Sequence, residues 1–437
     1  MYDFVKKYAE GNSVRGHMPG HKGHAPFPCG FENAFLYDIT EIKGADALFE
    51  AEGIIAESEK NASRLFGTEE TIYSCAGSTG CIQAMLAAVC GKGSHIIAAR
   101  NAHRAFINTC ALLDLNAEWI FPRNTDTAVS GEISPEDVEA ALKRTPASAV
   151  YITSPDYLGH ISDVKAISEV CRRYGAYLIC DNAHGAYTEF LEPSLHPIAL
   201  GADICCDSAH KTLPVLTGGA YLHVGNTALA GRAKECMSLF CSSSPSYLIL
   251  QSLDLCNRYL AERFPAELKR TVSKINELKT ELSPIYEFYG EEPLKLTIHS
   301  AARGIDGNDL AEHLRSNEIE CEYADSSYAV LMLSPSNSDS DFERILSALK
   351  EVRMPKILMR SRPLVFPEPK QMMSVREAMF SPCRYVPVSE AVGKICGRTV
   401  SACPPGIAAA VPGELITEEY AQLFVALGIA GINVVCE

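Results

Sequence analysis

The chain lacks any uninterrupted apolar run of about 18 residues, the length a helix needs to cross a bilayer, so no membrane-spanning helix is expected. Its first residues, "MYDFVKKYAEGNSVRGHMPG", lack the apolar core of an export signal. There is no CxxC pair: the 17 cysteines are scattered singly apart from Cys205-Cys206. Without an export signal they read as reduced thiols of a cytoplasmic protein. Positive charge is in deficit, with 39 Lys and Arg against 54 Asp and Glu and a formal net charge of −15. That balance excludes nucleic acid and anionic membrane as main partners. Internal repeats and low-complexity tracts are missing too. What is there is an ordinary soluble composition, 47% hydrophobic and 21% charged, over 437 residues. Such a length carries a large core and more than one domain.

From about residue 70 to 225 short apolar runs alternate with helical periods. The strand-like runs are "TIYSC", "HIIAA", "EWIF", "AVYIT", "AYLIC", "DICC" and "AYLHV". Between them, Val164, Ile167, Val170, Cys171 and Tyr174 share one helical face, with Asp163 as cap and Gly175 as stop. "SPED" starts another helix, with Ser134 as N-cap and Pro135 at the first helical position. Apolar strands alternating with helices predict an α/β protein whose mainly parallel sheet is covered on both faces. Four segments are expected: 1–60 at the N-terminus, a large domain over 61–265, a small α/β domain over 266–360 and a C-terminal domain over 361–437. The proline-rich "MRSRPLVFPEPKQ" reads as a linker.

In such sheets ligands bind beyond the carboxyl ends of the strands, so the residues following each strand are the ones to inspect. After the first come Gly77, Ser78 and Thr79, opening an apolar helix. They offer N–H groups, two hydroxyls and the positive end of a helix dipole, a phosphate cradle in miniature or a plain cap. His103 follows "HIIAA", a flat ring that suits stacking on an aromatic cofactor or a structural hydrogen bond. Asp181 closes "AYLIC", where a buried carboxylate needs a cationic or donating partner. Last, "DICCDSAHKT" brings Ser208, His210 and Lys211 behind a buried strand. A lysine for a Schiff base, a carboxylate for a pyridine nitrogen, a phosphate cradle and a stacking ring are the parts of a pyridoxal phosphate enzyme. Each motif alone is weak; their order at successive strand ends singles out Lys211 as the Schiff-base lysine.

The same residues resemble the Orn/Lys/Arg decarboxylases, fold type I pyridoxal phosphate enzymes of the aspartate aminotransferase superfamily. The similarity runs through "HMPGHKG", "DITEIKGADALFEAEGIIAESE", the "GST" cradle, "DNAHGA", "SAHKTL", "SSSPSYLILQSLD" and "PPGIAAAVPGE". It implies a seven-stranded large domain that binds pyridoxal 5′-phosphate. It also implies roles: Lys211 holds the cofactor, Asp181 faces the pyridine nitrogen, His103 stacks, and Gly77, Ser78, Thr79, Ser208 and His210 meet the phosphate. His184 matches the histidine of the D-x-x-H-G motif, near the cofactor's phenolic oxygen or the substrate. "SSSPSY" is similar to a stretch that reaches a neighbouring subunit's cofactor, so Ser243 and Ser244 are expected either to act across a homodimer with shared sites or to begin a helix. Three features depart from the family: Asn182 stands where an acid is usual, Pro214 and two glycines follow the lysine, and no N-terminal wing domain precedes the chain.

The implied reaction is α-decarboxylation of lysine, arginine or ornithine to a diamine or agmatine, placing the protein in polyamine biosynthesis. Glu414 in "VPGEL" is the carboxylate expected to meet the substrate's distal cation. Two alternatives stay open: another lyase reaction on the same fold, such as β-elimination or aldol cleavage, and a non-catalytic paralogue. The bottom-up pattern fits either lyase equally, and only the resemblance favours decarboxylation. No metal site is expected, since His17 and His21 in "HMPGHKG" lack a matching set of ligands.

Overall fold

The computed structural model describes residues 1–28, 30–122, 127–352, 364–401 and 406–436. All seven strand-like runs are strands: β1 (Glu70–Ser74), β2 (His95–Ala99), β3 (Asn116–Ile120), β4 (Ala149–Thr153), β5 (Tyr177–Asp181), β6 (Ile204–Asp207) and β7 (Ala220–Val224). They form one sheet in the order β1-β7-β6-β5-β4-β2-β3. β2 runs parallel to β3 and β4, and β5 to β6, while β7 is antiparallel to both β6 and β1. Every residue of β6 and β7 is buried, which is why these runs read as continuous apolar stretches.

The helices start and stop where the sequence signals say. Asp163 accepts a hydrogen bond from the Ala166 N–H (3.0 Å) at the start of Val164–Tyr174, and Gly175 ends that helix at φ 68°. Ser134 caps Pro135–Arg144 in the same way. A second sheet follows, made of β8 (Glu287–Tyr289), β9 (Lys295–His299), β10 (Tyr323–Ala324) and β11 (Tyr328–Met332) in the order β10-β11-β9-β8. Near the C-terminus β12 (Cys383–Pro387) pairs antiparallel with β13 (Gly431–Val435). Residues 359–363 of the expected linker and 404–405 of the "PPGIAAAV" stretch lie outside the described residues.

The chain divides into two compact units, Met1–Val89 with Ile179–Pro265, and Cys90–Leu178 with Ala266–Glu437. This differs from the division expected from sequence, because the second unit takes residues 90–178 out of the 61–265 segment and joins them to the C-terminal part of the chain.

Candidate active site

In the first unit, β5, β6 and β1 end beside one another's loops and supply most of the predicted residues. Asp181 closes β5 and is 2% exposed; its Oδ1 accepts hydrogen bonds from the Ala183 N–H (3.2 Å) and the Cys206 thiol (3.6 Å). A carboxylate this deeply buried is held in place to meet a donor or cation. Later in the chain, β6 leads through Ser208 into the short helix Ala209–Thr212, which carries Lys211. The Lys211 Nζ lies 3.0 Å from the Nε2 of His184, itself buried in the loop after β5. An amine and an imidazole at this distance are hydrogen-bond partners, the contact that a proton transfer between them would need.

The phosphate cradle is equally concrete. Gly77–Val89 is a helix that opens directly after β1, with Gly77 at φ 64°. The Ser208 hydroxyl donates to the Ser78 hydroxyl (2.9 Å), so two chain-distant side chains meet at that helix start. The first N–H groups of a helix have no partner within it, and together with the dipole they favour an anion. Thr79, next along, is exposed.

The glycines that set this chain apart after Lys211 have a local reason. Gly218 sits at φ 97° and its carbonyl accepts from the Gly77 N–H (2.8 Å). The Gly219 carbonyl accepts from both the backbone N–H (3.2 Å) and the Nδ1 (2.9 Å) of His210. A Cβ at Gly219 would stand 2.3 Å from Val215 Cγ1, so no larger residue fits there without moving the loop. Asn182 also has a partner: its Nδ2 donates to Asp207 Oδ1 (2.7 Å).

Other expected residues take different places. In the second unit His103 caps the helix Arg104–Leu113, its Nδ1 accepting from the Ala105 N–H (3.1 Å). Ser243 and Ser244 are exposed, and the cap of the helix Tyr247–Glu262 is Ser246 instead. His17 bonds the Tyr8 hydroxyl (2.6 Å) and His21 meets Asp38 (3.2 Å).

Glu414 requires a correction. It is fully buried, and its two oxygens form a bidentate pair with Arg100 at 2.7 and 2.8 Å. The Val411 N–H (2.9 Å) and Tyr420 hydroxyl (3.0 Å) complete its shell. Burial opposes the charge on Arg100, but Glu414 beside it overcompensates and holds the guanidinium above its usual pKa. Trp119 and Phe121 lie against that guanidinium at 4.9 and 5.2 Å from their ring centroids. Glu414 therefore anchors the C-terminal segment on the residue following β2, and its carboxylate is already saturated by donors. Sequence reasoning missed Arg100 because a lone arginine at a strand end carries no motif.

Comparison with known proteins bears on this geometry. Residues 1–290 match the model of the Orn/Lys/Arg decarboxylase major domain. The chain belongs to that family. An arginine decarboxylase of Bacillus subtilis strain 168 is 30% identical over 447 residues, covering 96% of this chain and 91% of the relative. Another, from Halalkalibacterium halodurans, is 30% identical over 446 residues with the same coverages of 96% and 91%. Among solved structures, the lysine decarboxylase LdcF of Francisella novicida superposes with a TM-score of 0.83 at 17% identity, over 100% of this chain and 81% of that one. At that identity the likeness establishes the fold. It is the fold type I architecture of pyridoxal phosphate enzymes, and this Orn/Lys/Arg decarboxylase family member is a pyridoxal phosphate-dependent decarboxylase.

The residues present fit that cofactor. The helix start at Gly77 with Ser78 and Ser208 suits a phosphate, and buried Asp181 suits a protonated ring nitrogen. Lys211, half-buried beside His184, suits the aldehyde.

Proposed function

We propose that this protein decarboxylates a basic amino acid, with arginine, lysine and ornithine as the substrate class and agmatine or a diamine as product. The observation that carries the reading is the Lys211–His184 contact of 3.0 Å on a family member that keeps Asp181 buried. The substrate class is supported by the arginine decarboxylases of Bacillus subtilis and Halalkalibacterium halodurans, which align over 96% of this chain. The net charge of −15 agrees with it, since an acidic surface draws cationic substrates inward.

When bound, pyridoxal phosphate supplies an electron sink for the pair released as CO₂ departs. The chain's own residues do the rest. Asp181 keeps the ring nitrogen's proton in place, because a buried carboxylate stabilises a cation beside it. Ser78, Ser208 and the first N–H groups of the Gly77–Val89 helix hold the phosphate, which fixes the ring's position. His103 is the residue assigned to stack on the ring. Lys211 and His184 hold the proton that returns to the substrate Cα once CO₂ has left.

The reading extends to assembly: two copies form a homodimer in which Ser243 and Ser244 reach the partner's cofactor. It is supported by the exposure of both serines and by Ser246 taking the capping role they would otherwise serve. Protein concentration-dependent activity and sedimentation of the holoenzyme test it, and a fully active monomer would end it.

The decisive assay measures CO₂ release from arginine, lysine and ornithine beside glutamate, aspartate and an aromatic amino acid. Preference for a basic substrate with stoichiometric amine product is expected. Turnover of none of the basic three, or ammonia or an aldehyde in place of CO₂, would favour the elimination or aldol reading.

A further inference from the structure

Asn182 stands where the family carries an acid, and the decarboxylation makes no use of its side chain. It follows β5 directly, beside the end of β6, where the register pairs Asp181 with Cys206. Its N–H donates to the Cys206 carbonyl (3.0 Å), so the pairing extends one residue past the strand. The next residue of β6 is Asp207, and Asn182 Nδ2 donates to its Oδ1 at 2.7 Å. Both residues are buried, Asn182 at 1% exposure and Asp207 at 0%.

Burial decides what residue 182 can be. Asp207 Oδ2 lies 3.2 Å from His196 Nε2 and 3.2 Å from His223 Nε2, while Oδ1 is met by Asn182. An acid at 182 would set two carboxyl groups 2.7 Å apart in a dry core, where both cannot be ionised. An amide supplies the donor that a buried carboxylate requires. Among the described residues Asn182 Oδ1 has no hydrogen-bond partner, so the side chain serves here as a donor. Burial opposes the Asp207 charge, but the imidazoles of His196 and His223 outweigh it and hold the carboxyl below its usual range. Residue 182 is an amide because its partner is an acid.

The bond joins the two loops that bring the reactive pair together. The Asn182 carbonyl accepts from the Gly185 N–H (2.8 Å), closing the turn that carries His184. Asp207 leads through Ser208 into the helix that carries Lys211, whose N–H donates to the Ser208 carbonyl (3.0 Å). At the far side of both turns the His184 and Lys211 side chains meet at 3.0 Å. Without the cross-link each turn keeps its own backbone hydrogen bonds, and the side-chain tie between them is gone.

We infer that Asn182 is a positioning residue for the Lys211–His184 pair, acting through its hydrogen bond to Asp207. The inference rests on the role proposed for that pair.

Asn182→Asp keeps the shape and exchanges the donor for a second carboxyl. In acid the two carboxyls share one proton, and an O–H to oxygen hydrogen bond takes the place of the lost one. In alkali the proton leaves and two like charges face each other. The neighbouring charge raises the pair's pKa, so the tie is present below that raised value and lost as pH climbs through it. The other titratable groups facing the pair are His196, His223, Tyr221 and the thiols of Cys81, Cys205 and Cys206. Burial holds Tyr221 and the three thiols protonated, far above their usual range. The imidazoles are common to variant and wild type, so the ratio of the two proteins at each pH isolates the new carboxyl.

Two rates are read as that ratio. One is uptake of pyridoxal phosphate by the folded apoprotein, followed by visible absorption; the other is kcat of the holoenzyme on a basic amino acid. Both ratios should fall about tenfold in mildly alkaline buffer and recover in mildly acidic buffer, the scale of a buried polar group left without its partner. Uptake needs no substrate, so a wrong substrate class leaves its result intact. Exchanging the pair, Asn182→Asp with Asp207→Asn, restores one amide–carboxylate bond and should bring both ratios within about threefold of one at either pH. Ratios near one for Asn182→Asp in both buffers, whatever its Tm, would overturn the inference and leave the bond a role in fold stability. So would a deficit that acid does not relieve, or an exchanged protein as impaired as the single variant. If Asn182→Asp does not fold, the exchanged protein decides, and its own failure to fold counts against the inference.

Discussion

The Lys211 ammonium nitrogen lies 3.0 Å from His184 Nε2, although 27 positions separate the two in the chain. The contact joins the loop after β5 to the loop after β6, adjacent parallel strands whose carboxyl ends open on one edge.

Lys211 is expected to carry the cofactor. Borohydride treatment of the yellow holoenzyme should fix the label on one peptide, and mass spectrometry should map it to Lys211. A label on any other lysine would remove the assignment.

Replacing Asp181 by Asn should leave cofactor binding intact and slow turnover by roughly a hundredfold to a thousandfold, about 2.7–4 kcal/mol, the scale for losing one aimed electrostatic group. The amide keeps the shape and the Ala183 N–H contact but brings no charge to the ring nitrogen. Near wild-type kcat would make Asp181 a structural residue.

His103→Ala should weaken cofactor retention only mildly, since ring stacking is worth about 0.5–1.5 kcal/mol beyond burial. The lost cap adds about 1 kcal/mol of helix destabilisation. Equilibrium dialysis separates the two, because a pure capping role lowers Tm and leaves cofactor affinity alone.

Gly219→Ala tests the loop under the cradle. Its new methyl would meet Val215 Cγ1 at 2.3 Å, and the carbonyl that anchors His210 must then shift. Overpacking of this kind costs about 1–3 kcal/mol. Cofactor should dissociate faster, with Lys211 still labelled by borohydride; unchanged release kinetics would show that the His210 anchor has no bearing on the cofactor.

Glu414→Gln should destabilise the fold by about 3–5 kcal/mol, because it strands the buried Arg100 guanidinium without its counter-charge. KM for a basic substrate should stay within a few-fold of wild type. Thermal unfolding and steady-state kinetics on one preparation check both halves, and a large rise in KM with unchanged Tm would restore a substrate role.

The sequence by itself determined the seven strands, because β4 to β7 are buried on both faces and show as unbroken apolar runs between helix caps and glycines. It also determined which residues follow those strands, and so selected Asp181, His184, Ser208 and Lys211. Tertiary structure decided the partners. Glu414 reads as a carboxylate for a substrate's distal cation until Arg100, 314 positions away, takes both its oxygens. Asn182 and Asp207 look unrelated until β5 and β6 pair, and His223 meets Asp207 only because β7 folds back antiparallel on β6. Periodicity reports which face of a strand is buried, a local property. Which distant side chain meets it there depends on strand order and register, which no local pattern encodes.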